Sequence, residues 1–363
     1  TLASIHNLLN PTGITDKQRL AERAIANERL LRAFGLTNTF VSADPDVHRI
    51  FVTNARRFLN KVQQLGWAHF KGIVIQSVHT TRTDTSPFPY NKFIQQATLR
   101  AILIGVFGAE LYAEDPKITE SISVVTSHII QLWSLSKTSD LIPPSLLHNL
   151  NHHLRLLLPD CEVFPNPLDF VIPAWETLWR VVATTVACSH DKPDFRRAFA
   201  DFFECPTEEK YEQCSSSGIS VKAIINETMR LYPPSRHIGR ARAGMLLSVL
   251  PPTIFSVAQQ LLPQIFLRRE YADVEYVLRS NTIWGVDAKK FNPSRYGPMP
   301  LSREQSASLS LVFGYRPLRC IAASWAPVAV ALITSVILDM SDDKNVIVTA
   351  GPNIGGREGW DGW

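Results

Sequence analysis

The sequence lacks several features that mark common functional classes. Its 363 residues contain no internal repeat, no low-complexity block and no Gly/Ser-rich linker. A Gly-rich phosphate loop of the kind that binds dinucleotides is absent. No CxxC pair provides the paired cysteines of a zinc site. Since 45% of the residues are hydrophobic, the chain can bury a large core, and we predict one domain over residues 1–363.

The chain has few cysteines, and they are not spaced as pairs. The five cysteines are Cys161, Cys188, Cys205, Cys214 and Cys320. An odd count without paired spacing argues against a disulfide framework. We therefore expect a protein of a reducing compartment.

The net charge of the chain is also small. Lys and Arg number 37 against 33 Asp and Glu, which gives a net charge of +4. The basic residues are scattered and do not interleave with aromatic residues as nucleic-acid platforms require. We predict no nucleic-acid binding, while a modest basic surface for an acidic protein partner stays open.

Long apolar runs are rare, and the chain begins at Thr1 without an apolar leader or signal sequence. The run Ile321–Leu338 has the length at which a membrane span is considered. Its place directly after Cys320, and Pro327 near its start, fit a buried core helix better. We expect the chain as given to be soluble.

The remaining patterns are mostly helical. Apolar periodicity and stop signals predict helices over 16–34, 46–65, 91–113, 118–136, 144–157, 168–187 and 321–338. Short β-prone pieces lie at 37–42, 235–243 and 346–349. The predicted fold class is mainly α with minor β. Pro173 lies inside the apolar helix 168–187 and predicts a kink there.

Cys320 ends the run LVFGYRPLRC and precedes the apolar helical run. A cysteine at the start of a buried helix lies where free N–H groups and the helix dipole stabilise a thiolate. Such a thiolate is suited to bind haem iron as an axial ligand. The alternative is a small buried hydrophobic side chain, which is the usual role of a lone cysteine.

Glu176 and Thr177 place an acid beside an alcohol in the middle of the kinked apolar helix. Burying both groups is costly unless they are used, and such a pair is suited to pass protons to a buried reaction centre. The alternative is an ordinary polar interruption of a partly exposed helix.

Glu227 and Arg230 are three residues apart and share a helix face, so they are able to pair. Pro233 and Pro234 then end that helix. Arg295, in the later segment FNPSRY, is a candidate to join them, because guanidinium groups suit buried carboxylates. The alternatives are a surface ion pair and a surface turn.

Taken together, these four patterns resemble the cytochrome P450 superfamily. They occur in the family's order, with 50 residues from Thr177 to Glu227, 68 from there to Arg295 and 25 from there to Cys320. The resemblance covers residues 35–363. The segments 272–285 and 357–363 resemble the fungal biosynthetic type.

The resemblance implies a single cytochrome P450-like helical domain with small β-sheets that binds haem. It implies four sets of residues. Cys320 would be the thiolate ligand of the iron, with Phe313 packed near it. Glu227, Arg230 and Arg295 would form a structural lock. Glu176 and Thr177 would be the catalytic proton-delivery pair. The candidates for the haem propionates are the basic residues His48, Arg236, Arg240 and Arg319.

The resemblance also implies a function and partners. The expected reaction is a monooxygenation of a small lipophilic natural product in secondary metabolism, with electrons from a separate NADPH-cytochrome P450 reductase. For the full-length protein we expect the cytosolic face of the endoplasmic reticulum membrane, with membrane contact only through an N-terminal anchor that is missing here.

Several positions depart from the family pattern. Arg316 and Ala322 stand where glycine is usual around the cysteine, and Leu318 stands where a basic propionate ligand is usual. Val52 stands where a basic residue is expected four after His48. In the kinked helix, Pro173-Ala174 replaces the usual Ala-Gly. The path of the cysteine segment is therefore expected to differ, because Arg316 cannot turn as tightly as glycine.

These departures leave two alternative functions open. The first keeps haem but catalyses an isomerisation, dehydration or cyclisation without net oxygen insertion. The second is a haem-free scaffold that uses the fold for binding or for non-redox chemistry, since a fold alone does not determine function.

Overall fold

The computed structural model describes residues 1–82, 88–112, 115–138, 140–243, 267–297, 299–341 and 347–363. In chain order its helices are α1 Leu2–Leu9, α2 Asp16–Ala26, α3 Glu28–Phe34, α4 Pro45–Leu65, α5 Trp67–Thr81, α6 Tyr90–Gly105, α7 Pro116–Leu135, α8 Pro144–Leu157, α9 Leu168–Trp175, α10 Leu178–Ser189, α11 Pro193–Glu204, α12 Glu208–Glu212, α13 Val221–Leu231, α14 Val274–Leu278, α15 Asn281–Trp284, α16 Arg303–Ser310 and α17 Trp325–Met340. Strands β1 His237–Ala243 and β2 Leu267–Asp273 pair antiparallel. The fold class is mainly α with minor β, as predicted.

The core is built around α17. Almost every side chain from Trp325 to Leu338 is buried, so this helix is apolar on all sides. Helices α5, α10, α11 and α13 pack against it, and α6 packs on both α5 and α10. Across the described ranges, every helix is too short or too polar to cross a membrane.

Two predicted helices are each divided into two. The stretch 16–34 breaks at Asn27, whose side-chain amide donates to the carbonyl of Phe40. Gly35 then ends α3 with a φ of 58°, a left-handed conformation that glycine adopts without strain. The periodicity on both sides of Asn27 hid this break because the two helices keep their apolar residues on the core side.

The kink predicted at Pro173 is confirmed as an interruption. Pro173 lies inside α9, which ends at Trp175, and α10 begins at Leu178. The guanidinium of Arg180 donates from Nε to the backbone carbonyl of Glu176 at 3.3 Å. That carbonyl therefore has a hydrogen-bond partner although the helix is interrupted here. Glu176 and Thr177 lie in the turn between the two helices.

The last apolar helix begins later than predicted. Residues 321–324 form a turn, and α17 begins only at Trp325 after Ser324. Cys320 is therefore separated from the N-terminus of α17, and the prediction that it begins a buried helix is wrong. Apolar composition runs continuously through 321–338 and does not indicate where helical hydrogen bonding starts.

Other boundaries differ as well. Helix α6 ends at Gly105 rather than at 113, which lies outside the described residues. A Cβ at Gly105 would lie 2.4 Å from the ring of Phe70, so α5 and α6 approach closely there. Residues 37–42 form a loop, and residues 347–349 lie outside strands, whereas 346 is not among the described residues. The strand predicted at 235–243 is confirmed as β1.

Candidate functional site

Glu227 and Arg230 form a fully buried ion pair on one face of α13. Both side chains are 0% exposed. Arg230 donates from Nε to Oε2 at 2.7 Å and from Nη2 to Oε1 at 2.8 Å, which is the two-pronged geometry of a strong charge-assisted pair. Burial of two charges costs more than a single pair returns, so the remaining polar atoms need partners too.

Arg230 finds those partners in a distant segment. Its Nη1 donates to the carbonyl of Leu278 at 2.7 Å and to that of Ala288 at 2.5 Å. The ring of Trp284 lies 4.9 Å from the guanidinium carbon and supplies a cation–π contact. Through these hydrogen bonds Arg230 connects α13 to the segment 278–288.

The Glu227 carboxylate is completed by the segment at 292–296. Arg295 donates from Nε to Oε1 at 3.0 Å, and the backbone N–H of Asn292 donates to the same oxygen at 2.8 Å. Tyr296 donates its hydroxyl proton to Oε2 at 3.2 Å, and burial, with the negative charge of Glu227, raises the pKa of this tyrosine. The structure brings the three predicted lock residues together, and it adds Asn292 and Tyr296, which the sequence had not singled out.

Asp287 forms a second ion pair with Arg295, in addition to that of Glu227. Its Oδ2 accepts from Nη2 of Arg295 at 3.1 Å and from the side-chain amide of Asn292 at 3.2 Å. Hydrogen bonds from Asn292 and Arg295 lower the pKa of the Asp287 carboxyl, so it stays ionised beside the arginine. Arg295 therefore joins an exposed carboxylate to a buried one.

Cys320 lies in a turn that is anchored by Phe313. The backbone N–H of Cys320 donates to the carbonyl of Phe313 at 2.8 Å. The side chain is open to solvent, yet enough protein surrounds the thiol to raise its pKa by desolvation. A hydrogen bond from the backbone of Ala322 and the charge of Arg319 act in the opposite direction and stabilise the thiolate.

Glu176 is held by two arginines in the turn between α9 and α10. Its side chain is 2% exposed. Arg357, from the C-terminal segment, donates from Nε to Oε1 at 2.7 Å, and Arg180 donates from Nη2 to Oε2 at 3.3 Å. Arg180 also donates to the carbonyl of Pro234 at 2.7 Å, which joins this turn to the end of α13. Thr177, the other half of the predicted pair, is partly buried at the start of α10.

The role of Arg357 leads to a prediction about stability. We expect Arg357→Gln to lower the free energy of unfolding by about 3 kcal/mol, because it leaves a buried carboxylate with a single partner. Urea unfolding followed by circular dichroism measures this change. Arg269→Gln is the control, because Arg269 forms an exposed pair with Glu28 at 3.2 Å and its loss should cost less than about 1 kcal/mol.

A double-mutant cycle tests whether the expected loss of stability comes from the unpaired carboxylate of Glu176. If the loss comes from the unpaired carboxylate, adding Glu176→Gln to Arg357→Gln restores part of the stability, as a double-mutant cycle requires for two groups in contact. An Arg357→Gln protein as stable as the wild type, or a double variant with purely additive losses, contradicts the pairing described here.

His48 and Arg240 belong to a cluster of cations between α2, α4 and β1. Nδ1 of His48 lies 2.8 Å from Oγ1 of Thr39, which also accepts a hydrogen bond from Arg23. Burial lowers the pKa of Arg23 to about 9, with a contribution from the charge of Arg240. Burial also lowers the pKa of Arg240 to about 10. These values leave both arginines charged at neutral pH.

The other two propionate candidates lie in different surroundings. The side chain of Arg236 is 59% exposed, and its Nε lies 3.7 Å from a carboxylate oxygen of Glu275. Arg319 is exposed in the cysteine segment. His48 and Arg240 both lie near Arg23, whereas Arg236 pairs with Glu275 and Arg319 is exposed in the cysteine segment.

The donor set fits haem. An exposed cysteine that receives a backbone hydrogen bond from Ala322 suits an axial iron ligand, and the Nε atoms of Arg23 and Arg240 are buried without a hydrogen-bond partner in the described chain, which suits an anionic group. In the same described ranges no group of three or more His, Cys, Asp or Glu residues is arranged to hold a metal ion. Cys320 is the residue that the resemblance assigns to the iron.

Comparisons with known proteins find similarity to cytochromes P450 over part of the chain. No family model matches the chain. Curated proteins similar to it include cytochrome P450 72A397 of Kalopanax septemlobus, 29% identical over 118 residues, which are 32% of this chain and 21% of that protein. Cytochrome P450 CYP72A616 of Paris polyphylla is 33% identical over 124 residues, covering 33% and 21% of the two chains. Cytokinin hydroxylase of Arabidopsis thaliana is 24% identical over 196 residues, covering 51% and 32%.

The matched part spans about a fifth to a third of the length of these relatives. All three are plant proteins, so the comparisons do not support the fungal type predicted from 272–285 and 357–363. The similarity, together with the mainly α fold, supports the relationship of this chain to the cytochrome P450 superfamily.

Proposed function

We propose that this chain is the haem-binding part of a cytochrome P450 monooxygenase that oxidises a small lipophilic natural product. The observation that carries the proposal is Cys320, an exposed cysteine whose sulfur accepts a hydrogen bond from the backbone N–H of Ala322. When bound, haem supplies dioxygen activation, and a cysteine thiolate is the axial ligand typical of that chemistry.

Each part of the site has a task in this function. The Phe313 carbonyl fixes the backbone of Cys320, while Ala322 and Arg319 favour the ionised sulfur that binds iron. The Glu227–Arg230–Arg295 network holds α13 against the 278–296 segment. Arg23 and Arg240 provide positive charge for the carboxylates of the cofactor, and His48, whose pKa is lowered by burial and by the charge of Arg23, offers them a ring N–H.

Proton delivery is the task that we assign to Glu176 and Thr177. The carboxylate of Glu176 is oriented by Arg180 and Arg357, and the Thr177 hydroxyl follows it in the same turn. A hydroxyl group is able to donate one proton while accepting another, so Thr177 is suited to pass protons from Glu176 to the reaction centre.

Electrons would come from a separate NADPH-cytochrome P450 reductase, the partner that the resemblance to the cytochrome P450 superfamily implies. The full-length protein would act at the cytosolic face of the endoplasmic reticulum membrane. The relatives include an oxidase of 11-oxo-beta-amyrin from Glycyrrhiza uralensis, which fits a lipophilic substrate for this chain as well.

One observation favours a second function, a haem-dependent isomerase, dehydratase or cyclase without net oxygen insertion. Both carboxylate oxygens of Glu176 are engaged by guanidinium groups, so the acid is less free to exchange protons than in a solvated relay. Arg316 in the cysteine segment is also atypical of the oxygen-activating pattern.

Two measurements separate these functions. The purified chain loaded with haem should show a Soret band, and its reduced carbon monoxide complex should absorb at the position typical of thiolate ligation. The absence of both bands would favour the haem-free scaffold. With reductase and a converted substrate, consumption of NADPH and dioxygen in step with product supports the monooxygenase. Turnover without either one supports the second function.

A further inference from the structure

The cationic cluster beside His48 carries more positive charge than its neighbours balance. We define it by its five basic members, Arg19, Arg23, His48, Arg240 and Arg242. The nearby carboxylates are Asp16, 2.5 Å from Arg19, Glu270, 4.0 Å from Arg242, and Glu22. Burial raises the pKa of Glu22, which reduces its tendency to carry charge.

Arg23 is, with Arg240, one of the two most enclosed cations of the cluster. It is 8% exposed, and its Nη2 donates to the carbonyl of Thr39 at 2.5 Å and to that residue's hydroxyl. Its Nε is buried without a partner in the described part of the chain, and no carboxylate is bonded to it. A buried guanidinium with an unused N–H is costly unless an anion meets it.

The position of Arg23 gives it a specific role in this chain. Thr39 joins Arg23 to His48, and the charge of Arg23 acts on both His48 and Arg240. At the two positions where the sequence pattern expects further basic residues, the chain has Val52 and Leu318. Two of the basic residues expected to face the cofactor carboxylates are therefore absent.

We propose that Arg23 binds a propionate carboxylate of haem beside His48 and Arg240. This inference rests on the proposed haem-binding function. It assigns a binding role to a residue of α2 that no local sequence pattern marks.

The test compares two cofactors that differ only in their carboxylates. Purified full chain without haem is titrated with hemin and with hemin dimethyl ester, in which both propionates are neutral, and the Soret absorbance gives each dissociation constant. Arg23→Gln should weaken hemin binding about 10- to 100-fold, the effect of losing a hydrogen bond to a charged group. The dimethyl ester should bind wild type and Arg23→Gln equally.

Two further variants exclude a merely structural effect. Arg100→Gln removes another buried guanidinium with an unpartnered Nε, on α6 and outside the cluster, and should leave both affinities unchanged. Arg23→Lys keeps the charge and should restore part of the hemin affinity without affecting the ester. The wild-type protein alone also tests whether the haem propionates contribute to binding, because it should bind hemin more tightly than the dimethyl ester.

The outcomes are distinct. Equal hemin affinity of wild type and Arg23→Gln overturns the role of Arg23, as does an equal loss for hemin and its ester. If the wild-type chain takes up neither compound, the haem-binding function itself fails. If it binds both compounds equally tightly, haem binds without propionate contacts and only the inference about Arg23 is overturned.

Discussion

Replacing Cys320 with serine is expected to abolish the thiolate-type band of the reduced carbon monoxide complex. A serine hydroxyl is close in shape to the thiol and somewhat smaller, but it does not ionise near neutral pH, so the variant offers haem no anionic sulfur. The backbone bond from Cys320 to Phe313 does not involve the side chain and remains. We therefore expect the fold and the helical circular dichroism to be retained while the band is lost completely.

The control is Cys214→Ser, because Cys214 is also an exposed free cysteine but lies in the turn before α13. This variant should keep the band unchanged in position and amplitude. A thiolate-type band that survives in Cys320→Ser means that another residue binds the iron, and the assignment of Cys320 as its ligand is then wrong.

Replacing Glu227 with glutamine is expected to remove about 3–5 kcal/mol from the free energy of unfolding, the range measured when one partner of a buried ion pair is lost. The side chains of Glu227 and Arg230 are both 0% exposed, and Arg295 and Tyr296 also point to the same carboxylate. Glutamine keeps the shape but leaves Arg230 charged with no buried anion. Since whole domains are stable by about 5–15 kcal/mol, much of the protein should unfold at modest urea concentrations.

The matched control is Glu212→Gln. Glu212 pairs with Lys222 at 2.6 Å, but their side chains are 62% and 46% exposed, so the loss should stay under about 1 kcal/mol. If Glu227→Gln is too unstable to purify, Arg295→Lys gives a milder measure, because lysine keeps the charge but not the paired hydrogen bonds. A Glu227→Gln protein as stable as the Glu212→Gln control contradicts the structural role of the network.

Local patterns predicted the parts of the site that depend on neighbouring residues. Glu227 and Arg230 pair because they are three apart on a helix, and Pro173 interrupts its helix because it lacks an N–H. The joining of Arg295, 68 residues away, followed from the order of four patterns rather than from any one of them.

The contacts that the sequence did not reveal are made between distant segments. Arg357 lies 181 residues from Glu176, and no period or spacing relates the two. Arg23 meets His48 through Thr39, which lies in a loop where strand was predicted. That loop forms because Asp169 accepts hydrogen bonds from the backbone N–H groups of Thr37 and Asn38, a long-range choice that outweighs the β preference of the residues themselves.

The bonds made by Arg230 also bear on the order in which the polypeptide assembles. Its carbonyl partners lie 48, 58 and 60 residues later in the chain, at Leu278, Ala288 and Lys290. During synthesis α13 leaves the ribosome well before these groups exist, so its two charges must stay hydrated until the later segment arrives. Docking of α13 against the finished core is therefore a late event, and nascent chains that stop before Leu278 present a charged helix that they have no means to bury.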